Sequence, residues 1–139
     1  MRKVFTNGCI DVIHVGHIRL LQFARQQGDY LVVGLNSDRS VTTLKGPSRP
    51  INPEAYRREV LESLRFVDEV VVFDESNAIE ILHAIRPAVW VKGGDYTMET
   101  LDRGEVAAAR KLGAEIILFP TFGGLSTTKL LRSDGSRST

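Results

Sequence analysis

The stretch "TNGCIDVIHVGH" (residues 6–17) joins a short apolar segment to a segment with helical periodicity. Residues 3–6 before it read "KVFT", which is typical of a strand. After it, Ile18, Leu21 and Ala24 recur at the three-to-four spacing of a helix expected over residues 16–27. The stretch is therefore predicted to be a strand-to-helix turn, the first unit of a parallel α/β sheet.

The rest of the chain repeats this alternation. Further strands are predicted at residues 30–35, 69–73, 88–92 and 114–119, and helices at 53–64, 77–85 and 105–112, with a short last helix near the end. The polar segment 37–52 is expected to be a loop with one helical turn, and Asn52 to cap the helix that begins at Pro53.

These elements predict an α/β fold: one Rossmann-like, doubly wound, parallel five-stranded sheet with helices on both faces. The domain is expected to cover residues 1–132. Residues 133–139 lack apolar side chains and are expected to form a disordered tail.

Charge and composition narrow the class of protein. The 18 basic and 17 acidic residues nearly balance, so no overall positive field indicates a nucleic-acid partner. Cys9 is the single cysteine, which excludes an intramolecular disulfide and fits a reducing compartment. Neither a membrane-spanning segment nor a secretion signal is recognisable. We therefore expect a soluble, cytoplasmic protein that binds neither membrane nor nucleic acid.

The polar motifs follow the ends of predicted strands. Residues 7–17 follow the first strand, Asn36 the second, residues 92–96 the fourth and residues 120–129 the fifth. In doubly wound sheets, ligands bind beyond the carboxyl ends of the strands, near the point where the strand order reverses. The placement predicts a single site at one edge of the sheet.

His14 and His17 flank Gly16 at the predicted start of the first helix. At this spacing both imidazoles can lie on one face of the first turn, where free backbone amides and the helix dipole favour an anion. Gly16 is expected to leave room for a phosphate. Two alternatives remain open: polar residues that only cap the turn, or a zinc site built from Cys9, Asp11, His14 and His17, which would crowd a tetrahedral geometry.

Other segments offer further anion-binding groups. Ser126 is a predicted N-cap followed by Thr127 and Thr128, Lys45 and Arg49 stand on the polar loop, and Lys92 and Asp95 flank paired glycines that include Gly94. Arg57 and Arg65 are eight residues apart and share a helix face. A plain cap, solvated cations, a tight turn and surface charges are the alternatives. No G-x-x-x-x-G-K-[ST] or G-x-G-x-x-G follows the first strand, which excludes P-loop NTPases and ordinary dinucleotide-binding dehydrogenases.

"NGCIDVIHVGH" together with "STTK" resembles the cytidylyltransferase-like branch of the HxGH nucleotidyltransferase superfamily over residues 4–131. With "VGLNSD", "LKGPSRPINP" and "VKGGDYT" in this order, the chain is most similar to the adenylyltransferase domain of heptose-phosphate biosynthesis. The resemblance implies transfer of AMP from Mg²⁺-bound ATP to D-glycero-β-D-manno-heptose 1-phosphate, with release of pyrophosphate and no covalent enzyme intermediate. A separate kinase is then expected to supply the sugar phosphate.

The resemblance also implies roles for individual residues. His14, His17 and Lys45 are expected to be catalytic, because they would hold and stabilise the triphosphate. The residues expected to bind nucleotide are Thr6, Asn7, Gly8, Cys9, Ile10, Asp11, His14, Gly16, His17, Lys92, Gly94, Asp95, Gly124, Ser126, Thr127 and Thr128. The residues expected to bind the acceptor are Asn36, Lys45, Arg49, Arg57 and Arg65.

Two other functions remain open. "LRFVDEV" and "STTK" are similar to glycerol-3-phosphate cytidylyltransferases, in which the arginine matching Arg65 contributes to the site, but Thr121 stands where those enzymes carry an arginine that helps to hold CTP. A non-catalytic nucleotide-binding module is the second alternative. Relatives are commonly dimers, so a homodimer is possible.

Overall fold

The computed structural model describes residues 1–120. Within that range the strands are β1 (Lys3–Gly8), β2 (Tyr30–Asn36), β3 (Glu69–Phe73), β4 (Val89–Gly93) and β5 (Glu115–Phe119). The helices are α1 (Val15–Gln26), α2 (Asp38–Lys45), α3 (Glu54–Glu62), α4 (Ile79–Ile85) and α5 (Arg103–Lys111). Among residues 1–120, no helix has both the length and the apolar character needed to span a membrane.

The five strands form one sheet in the order β3-β2-β1-β4-β5. All neighbouring strands are parallel, and Val4 pairs with Val89 where β1 meets β4. The chain winds outward from β1 to β3 and then returns to β4, so the strand order reverses between β1 and β4. The predicted doubly wound, parallel five-stranded sheet is confirmed, and its reversal point lies beside the residues 6–17 turn.

An apolar cluster covers each face of the sheet. Val4 and Val33 belong to the cluster that includes Leu21 of α1 and Leu61 of α3. Their chain neighbours Phe5 and Val32 belong to the other cluster, with Leu82 of α4 and Ala109 of α5. Successive side chains of a strand point to opposite faces, so these continuous apolar strands need helices on both sides.

Residues 37–52 were predicted to be a loop with one helical turn; the first half of this segment instead forms the eight-residue helix α2. The Ser37 hydroxyl accepts a hydrogen bond from the Ser40 N–H at 3.2 Å and caps the helix. Ser40 and Val41 are the buried residues of α2. Gly46, with φ of 109°, follows the last residue of the helix. Tertiary burial of this short segment outweighs its weak helix propensity. Lys45 consequently lies at the end of a helix.

The expected cap of α3 was also wrong. Pro53 occupies the N-cap position without a side-chain hydrogen bond. The carboxylate of Asp38 instead accepts from the Glu54 N–H at 2.8 Å, and the Glu54 carboxylate accepts from the Asp38 N–H at 2.7 Å. This reciprocal exchange caps the starts of α2 and α3 together, which frees Asn52 to contact Asp11.

Candidate active site

A cavity of about 800 Å³ opens at the carboxyl edge of the sheet, a volume typical of small-ligand sites. It collects the polar residues that follow β1, β2 and β4, and it continues along Phe119 and Pro120 after β5. The expected site residues that line it are Thr6, Asn7, Gly8, Cys9, Ile10, His14, Gly16, His17, Asn36, Lys45, Arg49, Lys92 and Gly94. The strand ends therefore converge as the sequence indicates.

The turn after β1 is held in an uncommon backbone conformation. Ile10 has φ of 43°, a left-handed value that is sterically costly for a β-branched residue. Its side chain is nevertheless 9% exposed and packs in the cluster with Val4 and Leu21. Burial of the side chain fixes this strained backbone at the edge of the cavity.

The two histidines interlock with the start of α1. His14 occupies the N-cap position, and its Nδ1 accepts from the Gly16 N–H at 3.0 Å. The Nδ1 of His17 accepts from the His14 N–H at 3.2 Å, and the ring centroids lie 4.1 Å apart. The histidines do cap the helix, yet each ring uses only one nitrogen to do so. These bonds assign the proton of each neutral ring to Nε2.

The environment keeps both rings uncharged. Burial lowers the pKa of His14 below its ordinary value. Burial, together with the neighbouring His14, lowers the pKa of His17 to about 4. The Nε2 of His14 is buried and has no hydrogen-bond partner among residues 1–120. At neutral pH the pair therefore offers N–H donors without a net charge of its own.

The absence of a side chain at Gly16 allows the His14 ring to pack against the start of α1. A Cβ at this position would lie 2.7 Å from the Cε1 and 3.0 Å from the Nδ1 of His14, closer than side chains tolerate. In the direction of a Cβ, the space beside Gly16 is thus occupied by the His14 imidazole, while Gly16 itself lines the cavity. Glycine is required here so that the ring can reach the Gly16 N–H.

At the end of β1, Thr6 is buried, and Asn7, Gly8 and Cys9 are half-buried. The Oδ1 of Asn7 accepts from the Trp90 Nε1 at 3.0 Å, and the buried Oγ1 of Thr6 has no partner within the described part of the chain. Burial raises the pKa of the Cys9 thiol, whose Sγ lies 3.9 Å from the Oδ1 of Asn36. Cys9 therefore stays protonated at neutral pH, which disfavours the thiolate that a nucleophilic role requires.

Asp11 does not line the cavity, although the resemblance implied a nucleotide contact for it. Its carboxylate is 0% exposed and accepts from the Arg49 Nε at 2.8 Å, the Ile51 N–H at 2.7 Å and the Asn52 N–H at 2.9 Å. Burial by itself would raise the pKa of Asp11, but these hydrogen bonds bring the pKa below its ordinary value. Asp11 stays ionised and holds the segment after α2.

The zinc alternative finds no support in this geometry. N–H donors engage the carboxylate of Asp11 and the Nδ1 atoms of both histidines. Among residues 1–120, no group of three or more His, Cys, Asp or Glu residues is placed to hold a metal ion.

The arginines expected at the acceptor differ in position. The Nε of Arg49 pairs with Asp11, and its buried Nη2 has no partner within residues 1–120. Arg57 is 3% exposed and lies behind the cavity wall, where its Nη1 donates to the backbone oxygens of Cys9 at 2.8 Å and Asn36 at 2.7 Å. Arg65 is exposed and does not line the cavity. Contacts of Arg57 and Arg65 with the acceptor are therefore not supported by their placement.

The end of β4 brings a cation, Lys92, to the cavity. The Nζ of Lys92 lies 5.0 Å from the Tyr96 ring centroid and 5.9 Å from that of Trp90. Gly94 has φ of 124°, which explains the glycine at this turn. Asp95 is exposed and off the cavity lining. Gly124, Ser126, Thr127 and Thr128 lie outside the described residues, as do the predicted last helix and tail.

Part of the lining was missed by sequence reasoning, namely Phe73, Ser76, Asn77, Thr100, Leu101, Asp102 and Glu105. Ser76 and Asn77 follow β3, so the rule about strand ends could have found them. Glu105 gives no such signal: it lies within α5, and its Oε2 accepts from the Ala78 N–H at 2.7 Å. Only the packing of α5 beside α4 brings it to the cavity.

The doubly wound sheet, the cavity at its reversal point and the H-x-G-H turn together define a nucleotidyltransferase. The chain belongs to the cytidylyltransferase-like family, whose model matches residues 5–133.

Relatives with curated names are similar over most of this chain. "Bifunctional protein HldE" of Hyphomonas neptunium is 50% identical over 127 residues, which cover 91% of this chain and 26% of that protein. The protein of the same name from Nitrobacter hamburgensis is 48% identical over 138 residues, or 99% of this chain and 28% of that protein. The chain thus spans about a quarter of the length of these relatives.

Solved structures agree on the fold. A lipopolysaccharide core biosynthesis protein from Thermoplasma volcanium superposes with a TM-score of 0.69 at 27% identity, covering 86% of this chain and 94% of that one. Pantothenate synthetase from Thermus thermophilus gives a TM-score of 0.65 at 14% identity, covering 99% of this chain and 64% of that one. The second likeness concerns the fold alone.

Proposed function

We propose that this domain joins the AMP part of ATP to a sugar phosphate, D-glycero-β-D-manno-heptose 1-phosphate, and releases pyrophosphate. One observation carries the proposal: the buried Nε2 of His14, which has no partner within residues 1–120, lies beside His17 at the start of α1, in a cavity of about 800 Å³. The 50% identity to a protein named HldE and the likeness to a lipopolysaccharide core biosynthesis protein favour the sugar phosphate.

The proposed reaction is an in-line displacement. An oxygen of the acceptor phosphate forms a bond to the α-phosphorus of ATP, and the bond from that phosphorus to the bridging oxygen of pyrophosphate breaks. Catalysis of this kind depends mainly on positioning and on stabilisation of charge. The Nε2–H groups of His14 and His17 would donate to triphosphate oxygens, and the positive end of the α1 dipole lies beside them.

The cations complete the proposed arrangement. Lys45, at the end of α2, and Lys92, at the end of β4, line the cavity from opposite sides of β1. They would offset the charge that gathers on the departing pyrophosphate and on the acceptor. Mg²⁺ would enter with the triphosphate, because this ion usually keeps several waters and is held largely by substrate phosphates.

A substrate panel tests the proposal. The purified chain is incubated with Mg²⁺, with ATP or CTP, and with heptose 1-phosphate or glycerol 3-phosphate, and pyrophosphate release is followed. We expect the highest kcat/KM with ATP and heptose 1-phosphate. Preference for CTP and glycerol 3-phosphate would replace the proposed substrates. Tight ATP binding without pyrophosphate release from any pair would favour the nucleotide-binding module.

A further inference from the structure

Arg49 carries an N–H donor that no acceptor among residues 1–120 engages. The residue is 8% exposed, yet it lines the cavity, and its Nη2 finds no hydrogen-bond partner within residues 1–120. A buried guanidinium nitrogen without an acceptor is costly, because it has lost its water without gaining a protein partner. The position of the Arg49 Nη2 therefore fits a donor that binds an anionic ligand in the cavity.

Asp11 determines the direction of that guanidinium. Its carboxylate accepts from the Nε of Arg49 at 2.8 Å and from the main-chain N–H groups of Ile51 and Asn52, while the Asn52 Nδ2 donates to the Asp11 main-chain oxygen at 2.8 Å. Because the Ile51 N–H contacts both carboxylate oxygens, five contacts join the turn after β1 to residues 49–52. Within residues 1–120, the guanidinium of Arg49 is thus held at its Nε, while its Nη2 has no acceptor.

The side of the sheet favours the acceptor as the ligand of Arg49. Asn36 ends β2, and the chain continues through α2 to Arg49, so these groups reach the cavity from the β2 side of β1. The histidines stand at the start of α1, and Lys92 and Gly94 lie on the β4 side. Two phosphate groups that react with each other repel, so the attacking one needs a cation of its own.

We infer that Asp11 is a positioning residue, whose buried carboxylate holds Arg49 so that its Nη2, unpaired within residues 1–120, binds the phosphate group of the acceptor. This inference rests on the proposed function. It assigns to Asp11 an action through Arg49 in place of contact with the nucleotide.

Two variants and a control test the inference. Arg49→Lys keeps a positive charge beside Asp11 but removes the Nη2 that is proposed to bind the acceptor. Asp11→Asn keeps the shape of the Asp11 side chain but removes its charge. Glu62→Gln is the control, because it breaks an exposed ion pair on α3, 3.0 Å to Arg58, away from the cavity. KM for heptose 1-phosphate, KM for ATP, kcat and thermal unfolding are measured for each protein.

We expect both site variants to raise KM for heptose 1-phosphate about ten- to hundredfold, the usual effect of losing one hydrogen bond between charged groups. KM for ATP should stay within about twofold, and Glu62→Gln should match the wild type. The double variant should be little worse than the worse single one, because both changes remove the same contact. A merely structural role for Asp11 would not separate the two KM values.

Three results would overturn the inference: an increase in KM for ATP instead, unchanged KM values in Arg49→Lys, or fully additive effects in the double variant. Should Asp11→Asn fail to fold, Arg49→Lys decides. Should the wild type release no pyrophosphate from any substrate pair, the proposed function fails on its own. Titration of wild type and Arg49→Lys with inorganic phosphate then tests the anion site, and equal affinity would refute it.

Discussion

Gly16→Ala separates the geometry of the histidine pair from the stability of the fold. The new Cβ would lie 2.7 Å from the Cε1 of His14, so the ring must retreat by about 0.7 Å to reach 3.4 Å, where ordinary contact begins. The hydrogen bond from the Gly16 N–H to the His14 Nδ1, now 3.0 Å, would then stretch or break.

The two effects of this substitution on stability nearly cancel. Loss of the cap costs about 1 kcal/mol, and replacing glycine by alanine within a helix regains up to about 1 kcal/mol. Misplacing a catalytic group by about 1 Å, in contrast, reduces turnover on the order of a hundredfold. We therefore expect kcat for pyrophosphate release to fall by roughly two orders of magnitude, while the free energy of unfolding changes by less than about 1 kcal/mol.

Gly104→Ala is a matched control. Gly104 and Gly16 occupy the same position, two residues after the N-cap, in α5 and α1. A Cβ at Gly104 would lie 2.9 Å from the flexible Cδ1 of Ile79 and 3.1 Å from the Oδ1 of the N-cap Asp102, and no histidine is among its three nearest atoms within residues 1–120. Turnover is followed with ATP and heptose 1-phosphate, and stability by urea unfolding. Unchanged turnover in Gly16→Ala, or an equal loss in both variants, would refute the reasoning about the His14 ring.

Two further predictions concern stability. The pKa of His17 is lowered from 6.5 to about 4, so the folded chain favours the neutral ring more strongly than the unfolded chain does. The resulting contribution to the free energy of unfolding is complete above pH 6.5 and is lost as the pH falls through about 4. The full contribution is on the order of 3 kcal/mol. Urea unfolding between pH 7.5 and 4.5 should show its loss. An equal dependence of the free energy of unfolding on pH in His17→Gln would contradict the prediction. Gly34→Ala would place a Cβ 2.8 Å from the Cε1 and Cζ of buried Phe5. We expect Gly34→Ala to lower the free energy of unfolding by about 1–3 kcal/mol. Gly8→Ala is the control and should cost clearly less, because its Cβ would meet only the Ile10 side chain, at 3.6 Å, among residues 1–120. Equal costs in the two variants would argue against overpacking.

The sheet could be predicted because its signal is local. Segments such as residues 30–35 are apolar without interruption, as strands covered on both faces must be, and β2 forms there with one further residue, Asn36. The motifs at the strand ends then indicated the edge at which the cavity opens. His14 and His17 were found for the same reason, since their spacing and the helix start after them are properties of one short stretch.

Partners of the polar side chains could not be predicted in this way. Asp11 and Arg49 are 38 residues apart in the chain, and Arg57 reaches the main-chain oxygen of Cys9 from 48 residues away. Asn52 was predicted to cap α3, but its side chain donates to Asp11, and α2 is longer than the single helical turn expected there. Such choices minimise the number of buried polar groups left without partners across the whole molecule.

The sequence by itself determined the order and type of most elements and the edge that carries the site, because hydrophobic periodicity and strand-end motifs are written in neighbouring residues. The tertiary structure alone decided which charged groups face the cavity and which are used to hold its wall. The physical reason is that a buried ion must be paired, and its partner is set by packing between segments distant in the chain.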